Sequence, residues 1–518
     1  MTVRHRLVAL LALSALLAAA CDPGEEVDLE DDGAQDPQDA PEEQAAGSGT
    51  IVAAISGEPD QLDPHLTSAY ASFQVLENVY DTLVQPDADL QFEPALAETW
   101  ETSDDQLTWT FTLREGVTFH NGRELTAEDV VYSYERIMEE GANAFRFDSV
   151  EEVRAPDERT VEIAVSRPTP NLLANIGAFK GMAIVPSEIV EDGTIASEPV
   201  GTGPFRLVDY TSGSSIRLEA NPDYWGEGPN VDAVEYRFIP EGTVALTSLR
   251  TGEVHWTDNI PPQDVEALLG DDALVTEAVP GNDYWYIAFN HAREPFDDVD
   301  VRRALAFGFD REAVTQAAQF DAATPNQTAI PQDSFFHSDH APFTHDPDQA
   351  SELLEGAGVS DLEIDLMVTN EYEETIAAAQ VLESQWGELG VSTQIRTLDF
   401  SAWLDEQGQG NFDAFLLGWL GNIDPDDFYY AQHHSAGGFN FHGYANEDVD
   451  RLLDEARTET DDEARKALYD EAVEIIVDEV SYLYLYNPDI VQAWSPDLTG
   501  YEVRSDAAIR WVDARLES

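Results

Sequence analysis

Residues Leu96–Ile137 read LAETWETSDDQLTWTFTLREGVTFHNGRELTAEDVVYSYERI. Within them Leu107–Leu113, LTWTFTL, alternates apolar and polar residues as a half-buried strand does. Further on, Thr126-Ala-Glu-Asp129 has the spacing of a capping box and opens a helix predicted to run through Met138. A strand feeding a helix is the repeating unit of an α/β fold.

The same alternation extends outward in both directions. On the amino side, Thr50–Ile55 is a short apolar run typical of a buried strand, and Phe73–Val84 has helical spacing through Val75, Leu76, Val79 and Leu83. On the carboxyl side, strands are predicted at Val161–Val165, Phe205–Tyr210, Leu362–Val368, Val391–Leu398 and Phe412–Leu417. Helices are predicted over Val301–Ala317, Thr375–Leu389, Asp448–Ala456 and Glu463–Val477, and Tyr482–Tyr486 and Val491–Trp494 read as two closing strands. The pattern holds no internal repeat.

The chain has 518 residues, 43% of them apolar, which is enough for several domains with real cores. Its net charge is -77, from 103 acidic residues against 26 Lys and Arg, and the only lysines are Lys180 and Lys466. Such a surface repels a polyanion and argues against nucleic acid as a partner. Self-repulsion of this size is relieved near 1 M salt, where the Debye length falls to about 3 Å. The acidity is therefore read as adaptation to a salty medium rather than as a description of the ligand. Cys21 is the single cysteine, so a disulfide framework and a Cys-rich zinc site are both excluded.

The first 20 residues have the form of a secretory signal. Arg4 and Arg6 precede an apolar run, Leu7–Ala20, that is too short to span a membrane. Leu17-Ala18-Ala19-Ala20-Cys21 is similar to the lipobox of bacterial lipoproteins, in which the Cys becomes the lipidated first residue, although the usual Leu lies one place later. The alternative is an ordinary signal with an incidental thiol. Residues 21–47 then read as an acidic, disordered tether with Pro23, Pro37 and Pro41. Its Asp-rich part, around Asp28–Asp39, lacks the bidentate Glu of a calcium loop. The expected location is extracytoplasmic, on a lipid anchor, in a periplasm or on the outer face of the cytoplasmic membrane.

Catalytic signatures are missing. Gly201-Thr202-Gly203 is followed by Pro204 and a strand, so it offers no helix amino terminus to a phosphate. Neither a Gly-x-Ser-x-Gly elbow nor a His-Glu-x-x-His helix occurs. His337, His340 and His345, and His433, His434 and His442, lack helical ligand spacing and are expected as exposed loop histidines rather than a metal site. With no nucleophile–base pair to name, the chain is not expected to be an enzyme, and no cofactor is expected.

Four stretches carry a specific resemblance. They are Leu96–Ile137, quoted above; EPVGTGPFRL with NPDYWGEGPNVD, within Glu198–Asp232; YIAFNHAREPFDDVDVRRALAFGFDREAV, Tyr286–Val314; and GYANEDVDRLLDEAR, Gly443–Arg457. Together, and in this order, they resemble the extracellular solute-binding proteins of family 5, which serve peptide, dipeptide and nickel ABC transporters. The resemblance implies an α/β, two-lobed periplasmic-binding-protein fold of type II, with an extra domain inserted in lobe one. Lobe one would comprise 48–89, 196–283 and 488–518, the extra domain 90–195, and lobe two 284–487. Two crossings, near Asp283–Asn290 and Leu485–Ile490, would form a hinge whose closure buries the ligand. Gly201, Gly203 and Pro204 would shape a turn, Trp225 and Gly226 would cap a loop, and Arg302 and Arg303 would pair with neighbouring acids.

The segment Leu417–Phe428, LGWLGNIDPDDF, is the leading candidate for the cleft lip. Peptide-binding relatives have a pattern similar to Trp-x-x-Asp, whose Asp holds the peptide's amino group; here Asn422 stands third after Trp419. Asp424 is then the carboxylate placed to reach an amine, or else Asp424 and Asp426 form a turn ahead of a helix. Trp419 is the expected aromatic wall. Thr67, Ser68 and Tyr70 are expected to face the ligand from lobe one, with Asn282, Tyr284 and Trp285 as the cleft floor and Phe439, Asn440 and Phe441 in a Gly-rich loop. These features give a lipid-anchored, monomeric binding component of an ABC importer for di- or oligopeptides, working with permease and ATPase subunits. Asn422 keeps open a neutral solute such as an oligosaccharide, an opine-like compound or a metal chelate. A surface peptide receptor without a permease is the reading from a different class. The charge predicts loss of structure on dialysis from molar to millimolar KCl, and a circular-dichroism spectrum that does not change contradicts it.

Overall fold

The computed structural model describes residues 49–517 other than Asp89, Lys180, Asp321, Glu371 and Asn422, so the signal segment, Cys21 and the acidic tether lie outside the described residues. One strand, Tyr482–Trp494, organises what is described. Its first part pairs antiparallel with Tyr284–Phe289, and its second part with Val275–Pro280 and Trp256–Thr257. Where two closing strands are predicted, the structure has this single one. Asn487-Pro488-Asp489 breaks the apolar run but not the hydrogen bonding: Gly281 N donates to Pro488 O at 3.2 Å and Asp489 N to Ala322 O at 2.9 Å.

The sheet continues from this strand in both directions. On one side lie Tyr284–Phe289, Ala414–Trp419, Glu363–Thr369 and Ser392–Leu398; on the other lie Trp256–Thr257, Thr50–Ile55, Ala233–Phe238, Ser215–Ala220 and Phe205–Thr211. Each half has its own core. Lobe two packs Trp386, Trp403, Phe415 and Leu305, and lobe one packs Ile51, Tyr236, Trp256 and Trp511. Trp386 is fully buried, and its indole N–H donates to Leu305 O at 3.0 Å, so no polar group is stranded. These are the two lobes of an α/β fold.

The strand read in Leu107–Leu113 forms as Thr108–Leu113. It belongs to a separate antiparallel sheet with Ala97–Thr102, Thr160–Val165 and Val150–Asp157. The helix opened by the capping box, Ala127–Glu140, lies against this sheet, and Val130, Tyr134 and Ile137 meet Phe111, Val161 and Ile163 in a third core. The box is formed: Thr126 N donates to Asp129 Oδ2 at 2.9 Å. This unit, with its own sheet and core, is the part expected as the extra domain of lobe one.

Two helices differ from expectation. Val301–Ala317 is two helices, Val299–Phe307 and Arg311–Gln319. Gly308 lies between them, where a Cβ would come 2.5 Å from Leu389 Cδ1, and Asp310 caps the second through Ala313 N. Phe73–Val84 is helical only as part of Tyr70–Leu76; Val84 opens the strand Val84–Pro86, and residues 77–83 are mostly buried irregular chain. Its bulk packs against Gly201, where a Cβ would lie 2.0 Å from Val79 O.

Arg302 departs from a further expectation, and Arg303 meets it only in part. Arg302 is buried and donates to backbone carbonyls, Phe296 O at 2.8 Å and Glu479 O at 2.7 Å among them, and Arg303 Nε donates to Asp478 O at 2.7 Å. They close the carboxyl end of Asp462–Asp478, where unpaired carbonyls and the helix dipole favour cations. Only Arg303 also approaches an acid, Asp300, at 3.5 Å.

Lobe one and the extra domain are joined by a buried ion pair. Arg136 donates to Asp63 Oδ1 at 3.0 Å and Oδ2 at 2.7 Å, and to His65 Nδ1 at 3.1 Å. The Arg136 and Asp63 side chains are 8% and 3% exposed, so removing one leaves a buried charge without its partner. Arg136→Met is expected to lower stability by about 3–5 kcal/mol in urea unfolding at fixed KCl. A loss under about 1 kcal/mol contradicts this role.

Candidate functional site

In an open α/β sheet, ligands bind beyond the carboxyl ends of the strands. In lobe one, Thr50–Ile55 and Trp256–Thr257 run parallel as neighbours. Their carboxyl ends lead into Thr67–Tyr70 and directly into Asp258. In lobe two, Glu363–Thr369 and Ala414–Trp419 run parallel, and Trp419 ends its strand opposite Tyr284. Both sets of ends meet at the hinge. There Gly421 N donates to Asp283 Oδ1 at 2.9 Å, and a Cβ on Gly421 would lie 1.8 Å from Asn282 O.

The aromatic wall spans the lobes. Trp419 is half-buried and meets Phe439 edge-on at 4.8 Å; Phe439 meets Phe441 at 6.2 Å. From the extra domain, Phe145 reaches the same ring at 5.6 Å. Tyr70 and Phe441 are exposed at 37% and 39%, and Ser68 is exposed beside Tyr70. The Tyr70 hydroxyl donates to Asp258 Oδ2 at 3.4 Å and to Ala507 O at 3.3 Å.

Several expected ligand contacts have other work. Thr67 is buried, donates to Asp60 Oδ1 at 2.6 Å and accepts from Ala69 N, which shapes the loop that presents Ser68 and Tyr70. Tyr284 lies in the lobe-two core against Phe428 and Tyr484. Trp285 is buried and stacked on Tyr486, so the two rings back the wall rather than line the cleft. Asn282 is nearly buried beneath Gly421. Asn440 staples its loop: its amide donates to His434 O and Tyr444 O, and its oxygen accepts from Tyr444 N. Asn422 lies outside the described residues.

Asp424 is committed as well. It accepts from Asp426 N at 3.0 Å as the cap of Pro425–His433 and forms a two-pronged pair with Arg465 at 2.7 Å and 2.7 Å. The expectation that it reaches a ligand amine is thereby corrected, because its charge is already neutralised inside lobe two. The next acids face the extra domain. Arg457 bridges Asp426 and Asp148 at 2.9 Å each, and Arg146 approaches Asp427 at 3.5 Å. Burial pushes Asp426 up to about 6 although Arg457 opposes the rise. Arg146 is buried, and its Nε and Nη1 have no hydrogen-bond partner among the described residues. Phe145, Arg146, Arg457 and Asp258 were not legible as site residues, since each acquires its role from a neighbour distant in sequence.

His433, His434 and His442, expected as exposed loop residues, are buried. His433 makes 2.8 Å hydrogen bonds with Ser481 Oγ and Tyr484 Oη, and His442 Nε2 lies 3.0 Å from Ser481 Oγ. The two hydroxyls engage both nitrogens of His433 and one of His442, which allows the loop to pack inward. Of the other three, His345 is exposed and His337 and His340 are half-buried. Among the described residues no group of three or more His, Cys, Asp or Glu side chains is placed to hold a metal ion.

A family model described as bacterial extracellular solute-binding proteins, family 5, matches residues 91–440. The chain belongs to that family. Proteins of this family are extracytoplasmic substrate-binding components of transport systems, not enzymes. The dipeptide-binding protein of Escherichia coli (strain K12) is 28% identical over 451 residues, covering 80% of this chain and 84% of that protein. The periplasmic binding protein DppA of Helicobacter pylori, solved with the peptide STSA, superposes with a TM-score of 0.81 at 26% identity, covering 92% of this chain and 99% of that one. AgaA of A. tumefaciens R10, solved with agropinic acid, superposes with a TM-score of 0.79 at 26% identity, covering 91% and 99%. Among the described residues no helix of this solute-binding chain is long and apolar enough to cross a membrane.

Burial holds the His433 imidazole down at about 3. The unfolded chain protonates this ring below about pH 6.5, so its contribution to stability is complete above that pH and is lost as pH falls toward 3. At pH 5, NMR of histidine-labelled protein is expected to show His433 neutral; a protonated ring at that pH contradicts the buried placement.

Proposed function

We propose that the chain is the lipid-anchored substrate-binding component of an ABC importer that captures di- or oligopeptides between its lobes and delivers them to a membrane permease. The observation that carries this reading is the meeting of the carboxyl strand ends of both lobes at one hinge, with Trp419, Phe439 and Phe145 forming an aromatic wall across them. Aromatic walls accommodate side chains of varied shape, and exposed strand and loop ends supply hydrogen bonds to an extended main chain. The peptide ligands named for DppA and for the Escherichia coli relative support the same class. Cys21 is proposed as the lipidated residue and residues 21–47 as the tether. Lobe one is proposed as 48–89, 196–283 and 488–518, the extra domain as 90–195 and lobe two as 284–487, with the chain acting as a monomer. Ser68 and Tyr70 from lobe one and Asn422, Trp419 and Phe441 from lobe two are proposed to touch ligand.

One observation favours a different solute on the same fold. Asp424 and Asp426 are paired with Arg465 and Arg457, and Arg146 stands beside Asp427, so these three acids already face cations. A neutral or opine-like ligand suits such a wall, and AgaA was solved with agropinic acid, not with a peptide.

Thermal-shift screening of the chain in molar KCl separates the two. The panel holds di- to pentapeptides and neutral oligosaccharides, and a ligand at 100 times its Kd adds about 2.7 kcal/mol. Stabilisation by peptides is expected; stabilisation by sugars alone overturns the peptide assignment. Trp419→Ala is expected to weaken the bound peptide about tenfold or more, roughly 1.4 kcal/mol, by isothermal titration, with the ligand-free melting temperature nearly unchanged.

A further inference from the structure

Asp258 is the first residue after the short strand Trp256–Thr257, at the strand end that faces the cleft. Its carboxylate accepts from two neutral donors, Gln74 Nε2 at 2.5 Å and the Tyr70 hydroxyl at 3.4 Å. Among the described residues no Arg, Lys or His forms an ion pair with it. This sets it apart from the acids along the lobe-two wall, since Asp424 and Asp426 are paired with Arg465 and Arg457 and Asp427 has Arg146 nearby. It also differs from Asp63 and Asp506, which are held by Arg136 and Arg504.

Among the described residues, no cation offsets the burial of Asp258. The Tyr70 hydroxyl, in contact with Asp258, is held well above its ordinary range by burial and then by the fields of Asp258, Glu77 and Asp283. Burial pushes Asp258 itself up to about 6. A carboxylate in such a place costs stability unless a cation joins it. The site is nevertheless reachable, because Asp258 is only half-buried and Tyr70 beside it is exposed. Asp283, which acts on Tyr70, accepts from Gly421 N in the loop that follows Trp419, so Tyr70, the partner of Asp258, stands near that loop.

We propose that Asp258 is a specificity-determining residue that takes the cationic amino group of the ligand, with the Tyr70 hydroxyl holding the carboxylate and the Ala507 carbonyl beside it as a second acceptor. The proposal rests on the solute-binding reading above and narrows it to amine-bearing ligands. It assigns recognition of the ligand's charge to lobe one. Lobe-two carboxylates already joined to arginines then serve to shape the wall.

The test uses full-length protein in molar KCl and two random tripeptide libraries, one with free and one with acetylated amino termini. The wild type is expected to be stabilised by the free-amine library at concentrations at least tenfold lower than by the acetylated one. Asp258→Asn keeps the side-chain shape and removes the charge. It is expected to abolish that preference while melting, without ligand, no lower than the wild type. Equal preference in D258N and wild type overturns the assignment and leaves peptide binding intact. A clear drop in the ligand-free melting temperature of D258N, with the preference retained, makes Asp258 a structural carboxylate and also overturns it. If neither library stabilises the wild type, the peptide reading fails, and putrescine decides the assignment alone. Stabilisation of the wild type but not of D258N supports it, and stabilisation of neither rejects it.

Discussion

The hydrogen-bonded ladder along Tyr482–Trp494 is the constraint on which the rest depends. It contributes to the sheets of both lobes, and Val275–Phe289 follows it across in the opposite direction. Two crossing segments allow rotation about the line joining them and resist translation. The parallel strands then decide where a ligand can sit, since their carboxyl ends in both lobes face the hinge. The aromatic rings, the Tyr70 loop and Asp258 are all residues that follow or end those strands. The extra domain takes part because Phe145 and Asp148 reach across to Phe439 and Arg457.

A net charge of -77 makes the placement of cations informative. The buried and half-buried junctions use arginine: Arg136 on Asp63, Arg465 on Asp424, Arg457 on Asp426 and Asp148, and Arg504 on Asp506. A planar fork matches a carboxylate and is weakly hydrated, so it survives desolvation better than an ammonium. Such buried pairs are screened little by salt, whereas the surrounding exposed acids are screened strongly. The same chain thus combines a surface suited to concentrated salt with internal pairs that do not depend on it.

Much of the fold was legible because its signals are local. The alternation in Leu107–Leu113, the capping box at Thr126 and the amphipathic helices near the carboxyl end need only near neighbours. What escaped depends on distant ones. Val150–Asp157 is a strand in which only Val153 is buried, so it lacks apolar alternation. Residues 77–83 continue the helical spacing through Val79 and Leu83, yet they pack as irregular chain against Gly201. The site was less legible. Trp419 was found from its segment, but Asp424 meets Arg465, His433 meets Ser481, and Asp258 meets Tyr70, and no spacing rule connects such pairs. That Asp258 has no ion-pair partner among the described residues is visible only once the partners of the other acids are known.

The central claim is that ligand is held between the lobes at the carboxyl ends of their strands. A crystal structure of the chain with whichever compound stabilises it tests this most directly. The account predicts density for the compound at the hinge, between Tyr70 and Asp258 on one side and Trp419 on the other. Density for the compound on an outer face of either lobe, with that space empty, would contradict it.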